Sequence, residues 1–272
     1  VFVLFAVPAA VVWAFGDALA SQFVALWNVL PQALDDVAEW LQQGPIRQSL
    51  LDGWSNAVVW SRVAGVAGLT ATALGAALLI AVTGLFLAAD PALYRLGLVR
   101  LLPEAVRPRV DAALLDAGRG LVRWLTGQVI LMVAVGAATA TALTAIGMPL
   151  ALSLGVIAGV LNFVPFVGPI LGGIVIVLVA FVQGPALAGQ AAVAVFVIQQ
   201  LESFLLVPLI QRWTVRLPPV LALVSLLVFG ALFGVAGTLF AVPQMVVVTI
   251  LVRELYVREL ESEPSAAPRA HS

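Results

Sequence analysis

The chain has no cysteine and no lysine, and its one histidine, His271, stands in the polar tail ESEPSAAPRAHS. Without cysteine there is no disulfide, thiolate nucleophile or cysteine metal ligand. A lone tail histidine makes no metal site, so neither metal nor cofactor is expected. Charge is scarce as well. Charged residues make up 10% of the 272, against roughly 25% in soluble domains. The net charge is −1, and no basic patch interleaved with aromatics occurs, which gives no footprint for a nucleic-acid partner. An intramembrane enzyme lacks its constellation too. No histidine in the apolar region can pair with Ser153 or Ser225, and FGDAL (15–19) has no partner aspartate for a carboxylate dyad. No catalytic residue is assigned.

What the chain does have is apolar length. Hydrophobic residues reach 62%, and the mean hydropathy is +1.13. Several uncharged stretches exceed the ~18 residues needed to cross a hydrocarbon core of roughly 30 Å. The expected fold is all-α: a polytopic transmembrane helical protein with amphipathic interfacial helices.

Along the chain, residues 1–15 read as part of a membrane span. Residues 16–62 turn acidic and hold Trp27, Trp40, Trp54 and Trp60, the pattern of an extracytoplasmic amphipathic region with tryptophans at headgroup level. Residues 63–89 are an uncharged transmembrane helix rich in small residues. At 90–123, Asp90 and Pro91 announce a helix start. Arg95, Arg100, Arg107, Arg109, Arg119 and Arg123 follow among leucines, which predicts a cytoplasmic amphipathic arm on the membrane surface. Residues 124–182 then carry a crossing helix and a broken apolar hairpin. Residues 186–252 carry a second such pair, and 253–272 read as a disordered cytoplasmic tail.

The two broken stretches resemble one another. At an offset of 69, Pro149 meets Pro218 and Gly168 meets Gly237, and the breaking residues around Pro165 meet those around Gly234. The first break is NFVPFVGPILGG (162–173), inside an uncharged run. As a straight helix, 149–182 would be about 50 Å long at ~1.5 Å per residue, too long for one crossing. The hairpins are thus broken or re-entrant. Each follows one crossing helix, and the crossings run in opposite directions, which makes the repeat inverted. Interrupted segments at matching positions of inverted repeats point to a transporter's solute site, because freed backbone groups at membrane depth need protein or a watery cavity. Pro165, Gly168, Pro169, Gly234 and Gly237 are therefore expected to line a path.

Between Trp124 and Gln211 the only ionisable side chain is Glu202, in QQLES. Ten residues before Arg212, it lies about 15 Å deep. Placing a carboxyl there costs on the order of 2.5–3.5 kcal/mol, which makes it a functional candidate. Gln199 lies one turn earlier and Ser203 beside it. Asn162, on the first break, and Gln128, one turn inside Arg123, complete the polar set. The assigned role of Glu202 is to bind or exchange a proton or a cation.

Four segments in this order resemble the autoinducer-2 exporter family of bacterial permeases: LTGQ (125–128), NFVPFVGPILGG, QQLESFLLVPLIQRWTVRLPPV (199–220) and GALFGVAGTLFAVP (230–243). The resemblance covers about residues 63–258, and more loosely the part before. It implies a multi-pass protein of the bacterial cytoplasmic membrane, with a cytoplasmic C-terminus, working as a homo-oligomer. Members are implicated in export of the quorum-sensing furanone, a small hydroxylated molecule. Others are described as sodium(lithium)/proton antiporters. In many relatives asparagine follows the glutamate of QQLE, where this chain has Ser203. The partners expected are thus the lipid bilayer and a small polar solute, exported by alternating access with proton coupling. The alternatives are a monovalent cation exchanged for protons, and a non-transporting membrane scaffold.

Overall fold

The computed structural model describes residues 21–22, 24–25, 29, 32–33, 90–212 and 217–257. The spans expected at 1–15 and 63–89, most of the region 16–62, and the tail from 258 lie outside them. Among the described residues every regular element is helical. Three helical runs are long and apolar enough to cross a membrane: Glu104–Ala145, Pro185–Ile210 and Ala236–Tyr256. The chain divides into two compact units, residues 38–114 and residues 1–37 with 115–272.

In the smaller unit, α1 (Pro91–Arg100) starts where the sequence places it. The Asp90 carboxylate accepts from the Leu93 N–H at 3.1 Å, and Pro91 holds the first helical position. A short 3-10 turn, Glu104–Val106, leads into the next helix. The bend is held by Arg107, whose Nε donates to the Leu102 carbonyl at 2.9 Å and whose other arm reaches the Arg100 carbonyl at 3.3 Å. Arg95 pairs with Asp111. Two of the arginines read as surface charge thus tie the bend together, while Leu93, Leu98 and Leu101 stay exposed.

Helix α2 (Arg107–Ala145) is 39 residues long and runs without interruption through Arg123 and Trp124. The sequence reading set a boundary there. The segment has neither a proline after Pro108 nor a capping residue at that point, and nothing local stops the helix. Gly136 of α2 meets Gly155 and Gly159 of α3 (Ala151–Leu161) so closely that a Cβ on Gly155 would come 2.7 Å from the Gly136 carbonyl oxygen. Small residues allow this approach. Helix α3 has no cap from its own N-cap residue, Leu150. Gln22 supplies one instead: its Oε1 accepts from the Ser153 N–H at 3.0 Å and from the Ser153 hydroxyl at 2.7 Å.

Helices α3 and α4 (Val167–Val182) form the first hairpin, joined by Asn162–Phe166. Next come α5 (Pro185–Leu201), a π-helical turn at Glu202–Leu206 and α6 (Val207–Gln211). The last long element, α7 (Pro219–Val252), reverses at Gly234 (φ 63°, ψ −141°) and is itself a hairpin. Ala222 packs with Val242 and Val246 across its two arms. At each reversal a glycine sits on a backbone carbonyl. A Cβ on Gly168 would lie 1.8 Å from the Leu161 oxygen, and one on Gly237 would lie 1.8 Å from the Phe229 oxygen.

The hairpins open toward opposite ends of α2. The open end of the first packs with Leu143 and Met148, that of the second with Trp124. Two hairpins in inverted arrangement are thus the observed form of the sequence repeat, the second with one arm, Ala236–Tyr256, long enough to cross a membrane.

Candidate functional site

Three polar side chains from three elements meet where the first hairpin turns. Gln128 projects from α2 one turn after Trp124. Asn162 is the C-cap of α3. Glu202 opens the π-helical turn. The Gln128 Nε2 donates to the Asn162 backbone carbonyl at 2.8 Å, and the Asn162 Nδ2 donates to Glu202 Oε1 at 3.0 Å. All three side chains are buried, Glu202 to 8% exposure. Its second oxygen, Oε2, is buried with no hydrogen-bond partner among the described residues.

The π-turn has a local cause. Pro208 carries no N–H, and in a regular helix its ring would collide with the carbonyl of Phe204, four residues back. The turn widens instead, and the Val207 N–H reaches back five residues to the Glu202 carbonyl. Such turns often mark functional positions. Sequence reasoning missed this feature, although Pro208, six residues after the only acid of the span, was its visible signal.

The turn of the first hairpin is tighter than a proline break requires. Val167 N–H donates to the Pro165 carbonyl at 2.8 Å around Phe166, whose φ is +66° and ψ −50°. That is a γ-turn with its central residue in the left-handed half of φ/ψ space, a rare and strained form. Phe163 of the same turn meets Trp124 edge-on, with ring centroids 6.1 Å apart.

These elements border a partly open cavity of about 540 Å³, within the ordinary size range of small-molecule sites. Gln128, Asn162, Gln199, Glu202 and Ser203 supply its polar lining, and Pro165, Phe166 and Pro169 bring the first hairpin's turn to it. Trp124 and Leu131 of α2, with Leu217 just before the second hairpin and Ala222 and Val242 from its arms, form apolar wall. Among the described residues Glu202 is the only charged one of the lining. Of the positions singled out from sequence, all five polar ones border this cavity, as do Pro165 and Pro169. Gly168, Gly234 and Gly237 do not. Gly168 and Gly237 are spent on close packing at the reversals, and Gly234 supplies the backbone conformation of the second one. The second hairpin therefore contributes its arms to the cavity rather than its tip, and sequence reasoning had not singled out those arm residues.

A model of the AI-2E family transporter matches residues 1–257. Among similar proteins, "Putative transport protein YueF" of Bacillus subtilis (strain 168) is 33% identical over 150 residues, covering 55% of this chain and 41% of that protein. "Putative transport protein YrrI" of the same organism is 30% identical over 151 residues, 56% of this chain and 43% of its own length. "Putative transport protein MT0215" of Mycobacterium tuberculosis (strain CDC 1551 / Oshkosh) is 29% identical over 244 residues, 83% of this chain and 66% of that protein. The match thus spans less than half the length of the two Bacillus relatives.

Proposed function

Because the chain belongs to the AI-2E family of transporters, we propose that it forms the solute path of a permease in the bacterial cytoplasmic membrane. In this reading it exports a small polar solute such as the autoinducer-2 furanone. The cavity beside the first hairpin's turn is the solute site, and Glu202 takes up and releases the proton that couples transport to the gradient.

The observation that carries this reading is a buried carboxylate, one of whose oxygens has no partner among the described residues, on the wall of a cavity of about 540 Å³. A buried polar atom without a partner is costly, and a ligand or a proton at that atom would remove the cost. Alternating access requires an element with two arrangements. The first hairpin is the best-suited candidate, since its strained turn is held to α2 and to the π-turn by the bonds of one residue, Asn162. The C-terminus is assigned to the cytoplasm and the working unit to a homo-oligomer on the same reading.

A second reading draws on the same oxygen: one buried acid is a minimal site for exchanging sodium or lithium against protons. Inverted vesicles separate the two. The export reading predicts accumulation of the furanone driven by a pH gradient, and loss of that accumulation in folded, inserted Glu202→Gln. Furanone flux at the wild-type rate and pH profile in that variant would overturn the role of Glu202. Proton movement triggered by sodium or lithium pulses, without furanone flux, would select the antiporter.

A further inference from the structure

A second, much smaller cavity lies farther along the same elements. Its volume is about 10 Å³, the least that holds one water molecule. Pro169 and Gln199 border both cavities. Along α2 the two follow one helix face, with Gln128 and Leu131 lining the first and Val135 and Thr139 the second. Thr139 lies three turns past Gln128, about 16 Å toward the end of α2 at which the first hairpin opens. The two spaces are therefore stacked in series and meet at Gln199 and Pro169. Gly168, which the larger cavity does not reach, borders the second together with Gly172 and Gly173. A Cβ on Gly173 would come 3.2 Å from the Val195 Cγ1, so missing side chains keep the room open there.

Thr139 gives this space its polar character. Helix α2 has three other threonines, Thr126, Thr141 and Thr144, and each donates its hydroxyl to the carbonyl four residues back. None of those three is buried, whereas Thr139 is only 2% exposed. Among the described residues the Thr139 hydroxyl has no hydrogen-bond partner, although the bond its neighbours make is open to any helical threonine. A buried hydroxyl left unpaired is costly. Thr139 instead borders the small cavity, with Gln199 on the same wall.

We propose that Thr139 and Gln199 bind a water molecule in the smaller cavity, and that this hydrated position is the next station of the solute path beyond Glu202. The second half rests on the reading above; the hydration does not. The Thr139 hydroxyl and the Gln199 amide can each donate or accept, which gives the water the two polar partners that a buried one needs. Pro169 belongs to the first hairpin, so a shift of that hairpin parts Pro169 from Gln199 and joins the two spaces. A solute leaving Glu202 then meets hydrogen-bonding groups at a depth where dry protein would strand it.

Thr139→Val keeps the shape and deletes the hydroxyl. If the hydroxyl holds a water, melting of the purified full chain should fall by about 2–4 °C, the size of one lost hydrogen bond in a chain this long. Vesicle flux should fall at least about fivefold for the same reason, and Thr139→Ser, which keeps the hydroxyl, should restore most of it. A melting temperature that holds or rises in Thr139→Val means that a dry, unpaired hydroxyl was removed, and overturns the hydration. The chain has no cysteine, so a single introduced thiol reports access directly. In proteoliposomes carrying a pH gradient, Thr139→Cys should react with a small charged methanethiosulfonate at least about tenfold faster than Leu143→Cys, because a thiol ionises readily only where water reaches it. Leu143 is fully buried and borders neither cavity.

Equal rates for the two cysteines, or unchanged flux in Thr139→Val, overturn the place of Thr139 on the path. Furanone flux of the unsubstituted chain is measured alongside. Its absence, with Thr139→Val destabilised and Thr139→Cys reactive, removes the transport reading and keeps the hydrated site. Normal flux with a raised melting temperature in Thr139→Val does the reverse.

Discussion

The two hairpins use one device for different ends. Each doubles back within the apolar region, and each places a glycine on a backbone carbonyl at the reversal. The first spends five residues on its turn, carries a strained Phe166 and ties Asn162 to α2 and to the π-turn. The second reverses at Gly234, where positive φ costs a glycine little, and none of its tip residues borders the cavity. The repeat explains the shape of both. What separates them is a polar link to other elements, made by Asn162 in the first turn, whereas at the second the Thr238 hydroxyl donates back within the hairpin to the Gly234 carbonyl.

The largest effect should fall on both hairpins alike. Gly168→Ala and Gly237→Ala each drive a Cβ to 1.8 Å from a backbone oxygen, an overpacking that costs about 3 kcal/mol or more where backbone cannot yield. Both variants are expected to lose monodispersity on size exclusion. A stable Gly237→Ala protein beside a collapsed Gly168→Ala one would break the equivalence of the two reversals.

Asn162→Leu comes next and should separate the hairpins. It deprives Glu202 Oε1 of the hydrogen bond from the Asn162 Nδ2, at a cost of about 1–3 kcal/mol, and is expected to abolish flux. Phe233→Leu, at the other tip, should leave flux unchanged. Thermal unfolding in detergent, read beside vesicle flux, checks both.

A smaller and opposite pair of effects follows from the backbone. Gly234→Ala puts a Cβ into a conformation favourable only to glycine, with nothing within 4 Å for it to strike. The cost is therefore strain alone, about 1–3 kcal/mol. Phe166→Gly relieves strain at a half-exposed side chain and should stabilise by about 1 kcal/mol. Equal signs for the two substitutions in a melting experiment would remove the claim that only the first turn is strained.

The smallest effect on stability is expected from Pro208→Ala. The restored N–H allows regular helix past Glu202 and alters fold stability by less than about 1 kcal/mol. Because each residue removed from a widened turn re-aims the side chains before it by roughly 100°, the same change should uncouple Glu202 from Asn162. Flux would fall with little change in melting temperature, and unchanged flux would leave the π-turn without a functional role.

Much of this was readable in the chain. The Asp90–Pro91 start, the interruption at 162–166 and the isolated acid are local matters of composition, capping and spacing. Continuity of α2 through Trp124 was not anticipated, because a basic–aromatic pair marks an interface without stopping a helix. Gly168 and Gly237, expected from sequence to line a path, pack against backbone carbonyls and do not border the larger cavity. Sequence shows that small residues are needed, but not whether the space they leave is filled by a solute or by the protein's own backbone.

The sequence by itself determined that this is an all-helical membrane protein with two interrupted apolar stretches and one deeply placed carboxyl, since each follows from residue type and period. Only the tertiary structure decided which polar groups meet. Gln128 and Asn162 are 34 residues apart in the chain, and Asn162 and Glu202 are 40 apart. Which hydrogen bonds these groups form depends on the packing of α2, the first hairpin and the π-turn. No helical period encodes that arrangement, because hydrogen bonds between helices are set by their relative positions.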